Sequence, residues 1–412
     1  MVKKGFNYGT IQSIAVAYLT IWSISPPLEI DLIYRIIAVG ALAVWGGCWL
    51  LRENPIVLDK NQLLSIIFLF TVIGVTFINN GDFRGILKQI AFFMLVVCFI
   101  LNSYYKNGNN WEEIRWLVPV VLVLFIIFNY KTVQVLIEDP TIARRLVRDD
   151  EEMYQYLRQG VGGYSLVYPQ VCVSSAFFLW VFKAYKQNKL YFAIGVVWAI
   201  SFLQLISKAG YSIAIFTTSV GIILLLLYKG KSGMKAFVVA VLIFAAIMLS
   251  ILYIDEFRNW LLETFDGTAV AKKINDLVAS SESGAAEGSI AARLRRYQGS
   301  VNVALKYPIV GALWRDGGGG HSALIDTFAK YGLWGGWFFI KAVYSVPNFY
   351  KKKFDNPLVT RMCNASLVCL LIVTCLDAVT YSFYSVILFI LPLLFEDIIR
   401  WDGIENENSV DS

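Results

Sequence analysis

Histidine is almost absent from this chain, since His321 is the only one among its 412 residues. The six cysteines fall inside or beside apolar runs and form no C-x-x-C pattern, so we interpret them as small packing residues. One histidine without paired cysteines gives no recognisable transition-metal site, and we predict neither a metal nor another cofactor. Charged residues make up 16% of the chain and hydrophobic residues 57%, a balance that excludes an ordinary soluble protein.

Apolar runs of about 17–25 residues recur along most of the sequence, and this is the length that crosses the hydrocarbon core of a bilayer. They predict an all-α, polytopic integral membrane protein that forms one membrane domain over residues 1–412. No small-residue cleavage site follows the first run, which we interpret as a retained helix. The predicted spans, about twelve in number, are 9–25, 32–51, 62–79, 86–103, 114–130, 163–182, 190–207, 210–228, 235–254, 332–347, 358–377 and 380–398.

The distribution of lysine and arginine predicts the orientation, because these residues accumulate on the cytoplasmic side of short connections. The short connections of one side hold only Arg84 and Lys208. Both termini are therefore expected in the cytoplasm, and the long loops 131–162 and 255–331 on the outer face. The basic residues of the other side are Lys3, Lys4, Arg52, Lys60, Lys106, Arg115, Lys183, Lys186, Lys189, Lys229, Lys231, Lys235, Lys341, Lys351, Lys352 and Lys353.

The two long loops carry arginines that the charge bias does not explain, since long external loops escape that rule. In the first loop they surround the acidic cluster 149–152. In the second loop, residues 290–306 predict an amphipathic helix with Ile290, Leu294, Tyr297, Val301 and Leu305 on one face. Its arginines either snorkel to lipid headgroups or clamp phosphate groups, and both roles can hold together. The candidate phosphate-binding arginines of the two loops are Arg144, Arg145, Arg148, Arg293, Arg296 and Arg315.

The segment 311–336 places His321 directly after four glycines and before an aromatic-rich helical run. Ser322 is predicted to start a short helix that ends at Gly332, where the next span begins, because Asp326 and Lys330 would be costly inside hydrocarbon. His321 then lies at the membrane boundary as the one side chain that titrates near neutrality. The alternative is an ordinary solvated loop residue.

Two further segments are candidate binding positions. Lys208 in the corner Ser207-Lys208-Ala209-Gly210-Tyr211 is either a snorkelling helix-end residue or a cation that faces a ligand. The run 160–168 predicts a close-packed helix entry that presents Tyr164 and Tyr168 at the membrane interface.

These motifs together resemble the carboxy-terminal half of the O-antigen polymerase and ligase superfamily. The resemblance rests on the arginine-bearing helix, the Y-P-I-V-G segment, the glycine-rich loop and H-S-A-L-I-D-T-F-A-K-Y-G-L-W-G-G. His321, Ser322, Gly332 and Gly335 occupy the positions of the family motif. Lys208 stands where the family usually has arginine, which weakens a bidentate phosphate contact there. The layout of twelve spans with two large external loops resembles the family over nearly the whole chain.

The resemblance implies a GT-C-like, metal-independent membrane glycosyltransferase in the bacterial cytoplasmic (inner) membrane, with its active site on the periplasmic face. The implied donor is an oligosaccharide linked to undecaprenyl pyrophosphate, and the acceptor is a sugar hydroxyl. His321 is expected to orient or deprotonate that hydroxyl or to contact the departing pyrophosphate, while the arginines and Lys208 hold the phosphates. The acidic cluster 149–152 is expected to pair with the arginines or to contact sugar hydroxyls, and Tyr164 and Tyr168 are candidates for stacking on a sugar ring. Membrane lipids, a chain-length regulator and a flippase of the same pathway are the other expected partners, and no nucleic acid is expected.

Polymerase is the favoured member of the family, because the loop before His321 and the Gly-Gly-Tyr entry look more polymerase-like. Two alternatives stay open. An O-antigen ligase would transfer the glycan to lipid A-core, and a lipid-linked oligosaccharide flippase would only transport it. Transporters place substrate groups near the bilayer midplane on broken helices, whereas the charges here gather in the external loops, which disfavours transport.

Overall fold

The fold is all-helical throughout the part of the chain that the computed structural model describes. The described residues are 7–51, 60–80, 90–108, 110–139, 142–146, 151–264, 266, 271, 274–275, 277–279, 288–313, 319–354 and 356–403. No strand occurs among them, which confirms the all-α prediction. The longer helices are Tyr8–Ile24, Leu32–Leu51, Lys60–Asn80, Ile90–Gly108, Leu117–Glu138, Tyr164–Gln187, Lys189–Ala209, Ser212–Leu227, Gly233–Tyr253, Gly288–Lys306, Ala323–Val343 and Pro357–Leu376.

Shorter helices connect these or continue them. The last apolar segment contains a π-helical turn, Val386–Ile390, between two α-helices. A 3-10 turn, Asn110–Ile114, precedes the helix that starts at Leu117. The short α-helices are Pro26–Ile30, Ile142–Arg145, Glu151–Arg158, Asp255–Thr264, Ser345–Lys353, Tyr381–Ser385 and Leu391–Trp401.

Seven helical segments within the described residues are long and apolar enough to cross a membrane. Two further helical segments, Gln62–Gly74 and Ser212–Leu227, are apolar but shorter. A helical membrane protein is therefore the class that the fold supports, while the total of twelve spans and the GT-C-like architecture stay predictions. The seven segments are Leu32–Leu51, Asn110–Glu138, Tyr164–Gln187, Lys189–Ala209, Gly233–Tyr253, Pro357–Leu376 and Tyr381–Trp401.

The chain divides into two compact units. Unit 1 comprises Met1–Gln170, Ala176–Leu205 and Thr380–Ser412. A buried polar cluster contributes to its interior, where the Trp180 indole N–H donates to the carboxylate of Asp397 at 2.9 Å and Arg115 pairs with the same carboxylate. A buried carboxylate needs such partners, because water no longer solvates it.

Unit 2 comprises Val171–Ser175 and Ile206–Val379. The helices Ser212–Leu227 and Pro357–Leu376 pack against each other in it. Their close approach depends on Gly221, because a Cβ atom there would lie 2.6 Å from the sulfur of Cys369. The helices that carry His321 and the arginines of the second loop belong to this unit.

The first long loop contains more helix than its predicted bounds allow. The helix that was expected to end at residue 130 continues to Glu138, because Thr132, Val133 and Leu136 are buried at helical spacing. The helices Ile142–Arg145 and Glu151–Arg158 follow within the loop.

Candidate functional site

The arginine helix, Gly288–Lys306, places one side chain at the end of a neighbouring helix. Arg293 donates through Nη1 to the carbonyl oxygen of Leu376 at 3.0 Å, and the Tyr297 hydroxyl donates to the same oxygen at 2.8 Å. Leu376 is the last residue of its helix, so its carbonyl lacks an intrahelical partner. Arg293 Nη2 also lies 3.8 Å from a carboxylate oxygen of Asp377. Arg293 therefore has an anchoring role within unit 2.

Arg296 lies one turn further along and contacts the histidine. Its Nη1 is hydrogen-bonded to Nε2 of His321. The glycine run makes this contact possible, since a Cβ atom at Gly319 would lie 2.3 Å from the carbonyl oxygen of Arg296. The Gly319 N–H also donates to Oγ of Ser300 at 2.6 Å. The loop thus lies directly against the backbone of the arginine helix, and His321 follows immediately.

Asp326 connects the arginine helix to the start of the next helix. One of its carboxylate oxygens accepts from the Ser300 hydroxyl at 2.5 Å, and the other accepts from the backbone N–H of Ser322 at 3.1 Å. Ser322 is the N-cap of Ala323–Val343, and its Oγ accepts from the N–H of Ile325 at 3.2 Å. This reciprocal capping fixes the backbone next to His321 and confirms the predicted helix start.

A break at Gly332 separates this short helix from the helical segment that follows, at the position where the sequence analysis placed the break. Gly332 has φ +66° and ψ −164°, a conformation that essentially only glycine adopts. The helix carbonyls just before the break are bound from outside, since the N–H groups of Ala312 and Leu313 donate to Ala329 and Lys330 at 2.9 and 2.8 Å. The Y-P-I-V-G-A-L segment therefore caps the helix end.

The electrostatic surroundings keep His321 neutral at pH 7. Burial lowers the pKa of its imidazole below the usual 6.5, and the positive charges of Arg296 and Arg293 lower it further, against the raising effect of Asp377 and Asp326. A guanidinium can only donate, so Nε2 must be the accepting nitrogen, and the ring proton lies on Nδ1. His321 is thus in the tautomer whose Nε2 lone pair can accept a proton, and this lone pair is directed at Arg296.

The opposite side of the arginine helix is apolar and exposed. Leu294, Val301 and Leu305 are 47%, 41% and 75% exposed, as expected of a helix that lies on a membrane surface. Tyr297 was predicted on this face but instead turns inward, because its hydroxyl finds the Leu376 carbonyl. The side chain of Ile290 lies outside the described residues.

The remaining predicted site residues do not all join this cluster. Arg315 and Arg148 lie outside the described residues, as does the side chain of Arg144. Arg145, in unit 1, pairs with Glu152 at 3.1 Å and Asp139 at 3.6 Å, so one member of the acidic cluster 149–152 does pair with an arginine.

Lys208, Tyr164 and Tyr168 are placed by their helices as follows. Lys208 is exposed in the last turn of Lys189–Ala209, where a cation suits the helix dipole. Tyr164 and Tyr168, in unit 1, stack on each other with ring centroids 5.5 Å apart. Tyr168 is buried and Tyr164 partly buried, and their predicted contact with sugar stays a prediction.

Sequence reasoning missed Asp377 and Ser300 as members of the site. Asp377 is 5% exposed and interrupts the sequence at the end of an apolar run. A carboxylate at such a boundary is costly without a partner, and this cost was the available signal. Ser300 gave no signal, because serine at an exposed-looking helical position is ordinary.

The class of protein that the fold and the site define is an all-helical membrane protein with an Arg–His–Asp cluster beside a glycine-rich loop. No family model, curated protein or solved structure matches the chain. Among the described residues, no group of three or more His, Cys, Asp or Glu side chains is arranged to hold a metal ion.

Proposed function

We propose that the protein is an O-antigen or related surface-polysaccharide polymerase. It transfers the growing glycan from undecaprenyl pyrophosphate to a sugar hydroxyl of a new lipid-linked repeat unit, at the outer face of the inner membrane. The contact between Arg296 and a neutral His321 carries this proposal. It joins a cation suited to a pyrophosphate leaving group with a base suited to a hydroxyl acceptor.

In the proposed reaction, the contact between Arg296 and His321 opens when the donor binds. The pyrophosphate oxygens accept hydrogen bonds from the Arg296 guanidinium, and Nε2 of His321 is released to face the acceptor hydroxyl. Nε2 then takes the hydroxyl proton as the sugar oxygen attacks the anomeric carbon. The bond from that carbon to the phosphate oxygen breaks, undecaprenyl pyrophosphate leaves with its negative charge beside Arg296, and the anomeric configuration inverts. The imidazolium returns its proton to solvent.

The surrounding residues position these two groups. Asp326 fixes the start of the helix behind His321, and Arg293 holds the arginine helix to Leu376. Both carboxylates of the cluster, Asp326 and Asp377, also favour the imidazolium that forms during transfer. Arg293 contributes positive charge to the phosphate region, while its hydrogen bond to the Leu376 carbonyl holds its side chain in place.

A reconstituted assay tests the proposal with lipid-linked repeat units supplied on the outer face of proteoliposomes. The native protein should lengthen the glycan without any flipping step. His321→Ala and Arg296→Ala should each reduce the rate by about a hundredfold or more, since a hundredfold is the lower end of the range for loss of a base or of an electrostatic contact. Arg295→Ala, an exposed residue of the same helix, is the matched control and should retain the native rate. Full polymer length and amount from His321→Ala would refute the site.

Deletion of the gene in the source bacterium separates polymerase from ligase. Loss of a polymerase leaves lipopolysaccharide with core plus one repeat, whereas loss of a ligase leaves core without any repeat. A defect confined to the capsule would identify a capsule polymerase. A transporter would give no chain growth in the proteoliposomes.

A further inference from the structure

Unit 1 contains a second cluster of polar and aromatic groups, which no step of the proposed transfer uses. Its centre is Glu29, in the short helix Pro26–Ile30, whose carboxylate accepts a hydrogen bond from the Tyr381 hydroxyl. Tyr381 stacks on Trp22 with ring centroids 5.2 Å apart and an interplanar angle of 8°. Glu29 and Tyr381 are both partly buried, so each keeps some access to solvent, while Trp22 is buried behind them.

Three chain segments that are far apart in sequence meet at this end of unit 1. The helix Pro26–Ile30 packs against Glu151–Arg158, and Arg158 lies 3.4 Å from Asp31. The Ser382 hydroxyl donates to the carbonyl of Ser165 at 2.8 Å, which joins the helix Tyr381–Ser385 to the first turn of the helix Tyr164–Gln187. The segments Pro26–Ile30 and Glu151–Arg158 fall in predicted outer connections, and Tyr164 and Tyr381 stand at the outer ends of predicted spans, the side on which the proposed transfer takes place.

The positive charge of Arg35 and the hydrogen bond from Tyr381 both stabilise the Glu29 carboxylate, but burial outweighs them. Arg158 pairs with Asp31, and Arg35 donates through Nε to the backbone carbonyl of Glu29 at 2.9 Å. Poor hydration raises the pKa of Glu29 to about 7. A carboxyl whose charged form is disfavoured by burial, but which keeps some access to solvent, is typical of a binding site rather than of a structural ion pair.

A neutral polyhydroxy ligand fits this set of groups better than a charged one does. The carboxylate repels phosphate, and it accepts paired hydrogen bonds from vicinal hydroxyls. The Tyr381 hydroxyl supplies a further donor or acceptor, and the Tyr381 and Tyr164 rings offer apolar surfaces of the kind on which the C–H face of a sugar packs.

We propose that Glu29 and Tyr381 form a carbohydrate subsite that binds a sugar of the acceptor repeat unit. This inference rests on the proposed polymerase function for the identity of the sugar. In the subsite, the Glu29 carboxylate accepts hydrogen bonds from two hydroxyls of one sugar ring. The ring of Tyr381, which stacks on Trp22, sets the position of that sugar ring. The subsite selects the acceptor by its sugar, whereas the Arg296–His321 pair acts on phosphate and proton.

The test measures binding of the free repeat-unit oligosaccharide, released from the host polysaccharide by mild acid, to the purified full chain in detergent. Saturation-transfer NMR and intrinsic tryptophan fluorescence give the affinity without any lipid donor. Tyr381→Phe and Glu29→Ala should each weaken binding at least about tenfold, the effect of losing a hydrogen bond to a charged group. Glu29→Gln keeps the shape and one acceptor oxygen and should lose less.

Matched controls are Glu138→Gln and Tyr130→Phe, two exposed residues of the helix Leu117–Glu138, which should bind as the native chain does. Native affinity in both Glu29→Ala and Tyr381→Phe, with folding confirmed by a single elution peak, would overturn the subsite even if polymerisation is demonstrated. Conversely, absence of chain growth by the native protein in the proteoliposomes refutes the proposed function while the binding result stands.

Discussion

The guanidinium of Arg296 donates to Nε2 of His321, the one histidine of the chain. The contact joins a helix of the second long loop to a glycine-rich turn that is 25 residues further along the sequence. A cation on the lone pair of a neutral imidazole keeps that base unprotonated and also blocks it. The contact therefore has consequences that can be measured in the resting protein.

The first prediction concerns the titration of His321. Because the chain has one histidine, isotope labelling of histidine gives a single imidazole signal. Its midpoint should lie below 6.5, since burial and two guanidinium groups lower the pKa. Arg296→Gln removes one of these charges and should move the midpoint upward, while Arg295→Gln should leave it nearly unchanged. A native midpoint at or above 6.5 would contradict the contact.

The same shift has a consequence for stability. Below pH 6.5 the unfolded chain binds a proton at His321 more readily than the folded chain does, so the free energy of unfolding should fall as the pH drops through this range. For the same reason, the rate of transfer should stay near its value at neutral pH until the pH falls below 6.5. Arg296→Gln should shift the acidic limb of any residual activity to higher pH.

The second prediction concerns the bond between Ser300 and Asp326. Asp326→Ala removes the acceptor of both the Ser300 hydroxyl and the Ser322 N–H, and it should destabilise the protein by about 1–3 kcal/mol. A double-mutant cycle with Ser300→Ala, measured by thermal unfolding in detergent, should give a coupling energy of about 0.5–3 kcal/mol. Simple additivity of the two losses would mean that the bond does not exist in solution.

The third prediction compares two glycines. A Cβ atom at Gly332 would lie 2.2 Å from the Ile309 carbonyl oxygen, and the backbone conformation there is strained for any other residue. Gly332→Ala should therefore cost at least about 1–3 kcal/mol and reduce the folded yield. Gly299, within the arginine helix, has no atom within 4 Å of its added Cβ, so Gly299→Ala should stabilise the protein by about 0.5–1 kcal/mol. Equal effects of the two substitutions would be inconsistent with the break at Gly332.

The fourth prediction concerns Glu29. Burial raises its pKa from the usual 4.5 to about 7, so the folded chain binds the extra proton between these values and stability should fall as the pH rises through them. Glu29→Gln removes the charge and should raise the apparent melting temperature at pH 8 but not at pH 4.5. The same increase in melting temperature at both pH values would show that the charge on Glu29 does not destabilise the folded chain.

Local sequence signals predicted the start and the end of the helix behind His321. Ser322 was predicted to start this helix and Gly332 to end it, because Asp326 and Lys330 between them would be costly inside hydrocarbon. The structure confirms both. The face of the arginine helix was less predictable. The aromatic ring of Tyr297 fits the apolar face of the arginine helix, but its hydroxyl donates a hydrogen bond to the Leu376 carbonyl of another helix.

The sequence also could not apportion roles among the arginines. Arg293 and Arg296 are three residues apart and look equivalent in the sequence. In the structure, Arg293 binds the end of the helix Pro357–Leu376 and Arg296 binds His321. Arg145 was predicted to hold phosphate with them, and it belongs to unit 1, where Asp139 and Glu152 occupy its guanidinium.

By itself, the sequence determined the helical membrane class, the uniqueness of His321 and the helix that begins after Ser322 and breaks at Gly332. These features follow from composition, hydrophobic run length and short-range hydrogen bonding, which are local properties of the chain. Only the tertiary structure decided that Arg296 meets His321, that Asp326 binds Ser300, and that Glu29 meets Tyr381. Each of these contacts joins groups far apart in sequence, and their energy exists only once the helices have packed and removed water from between them.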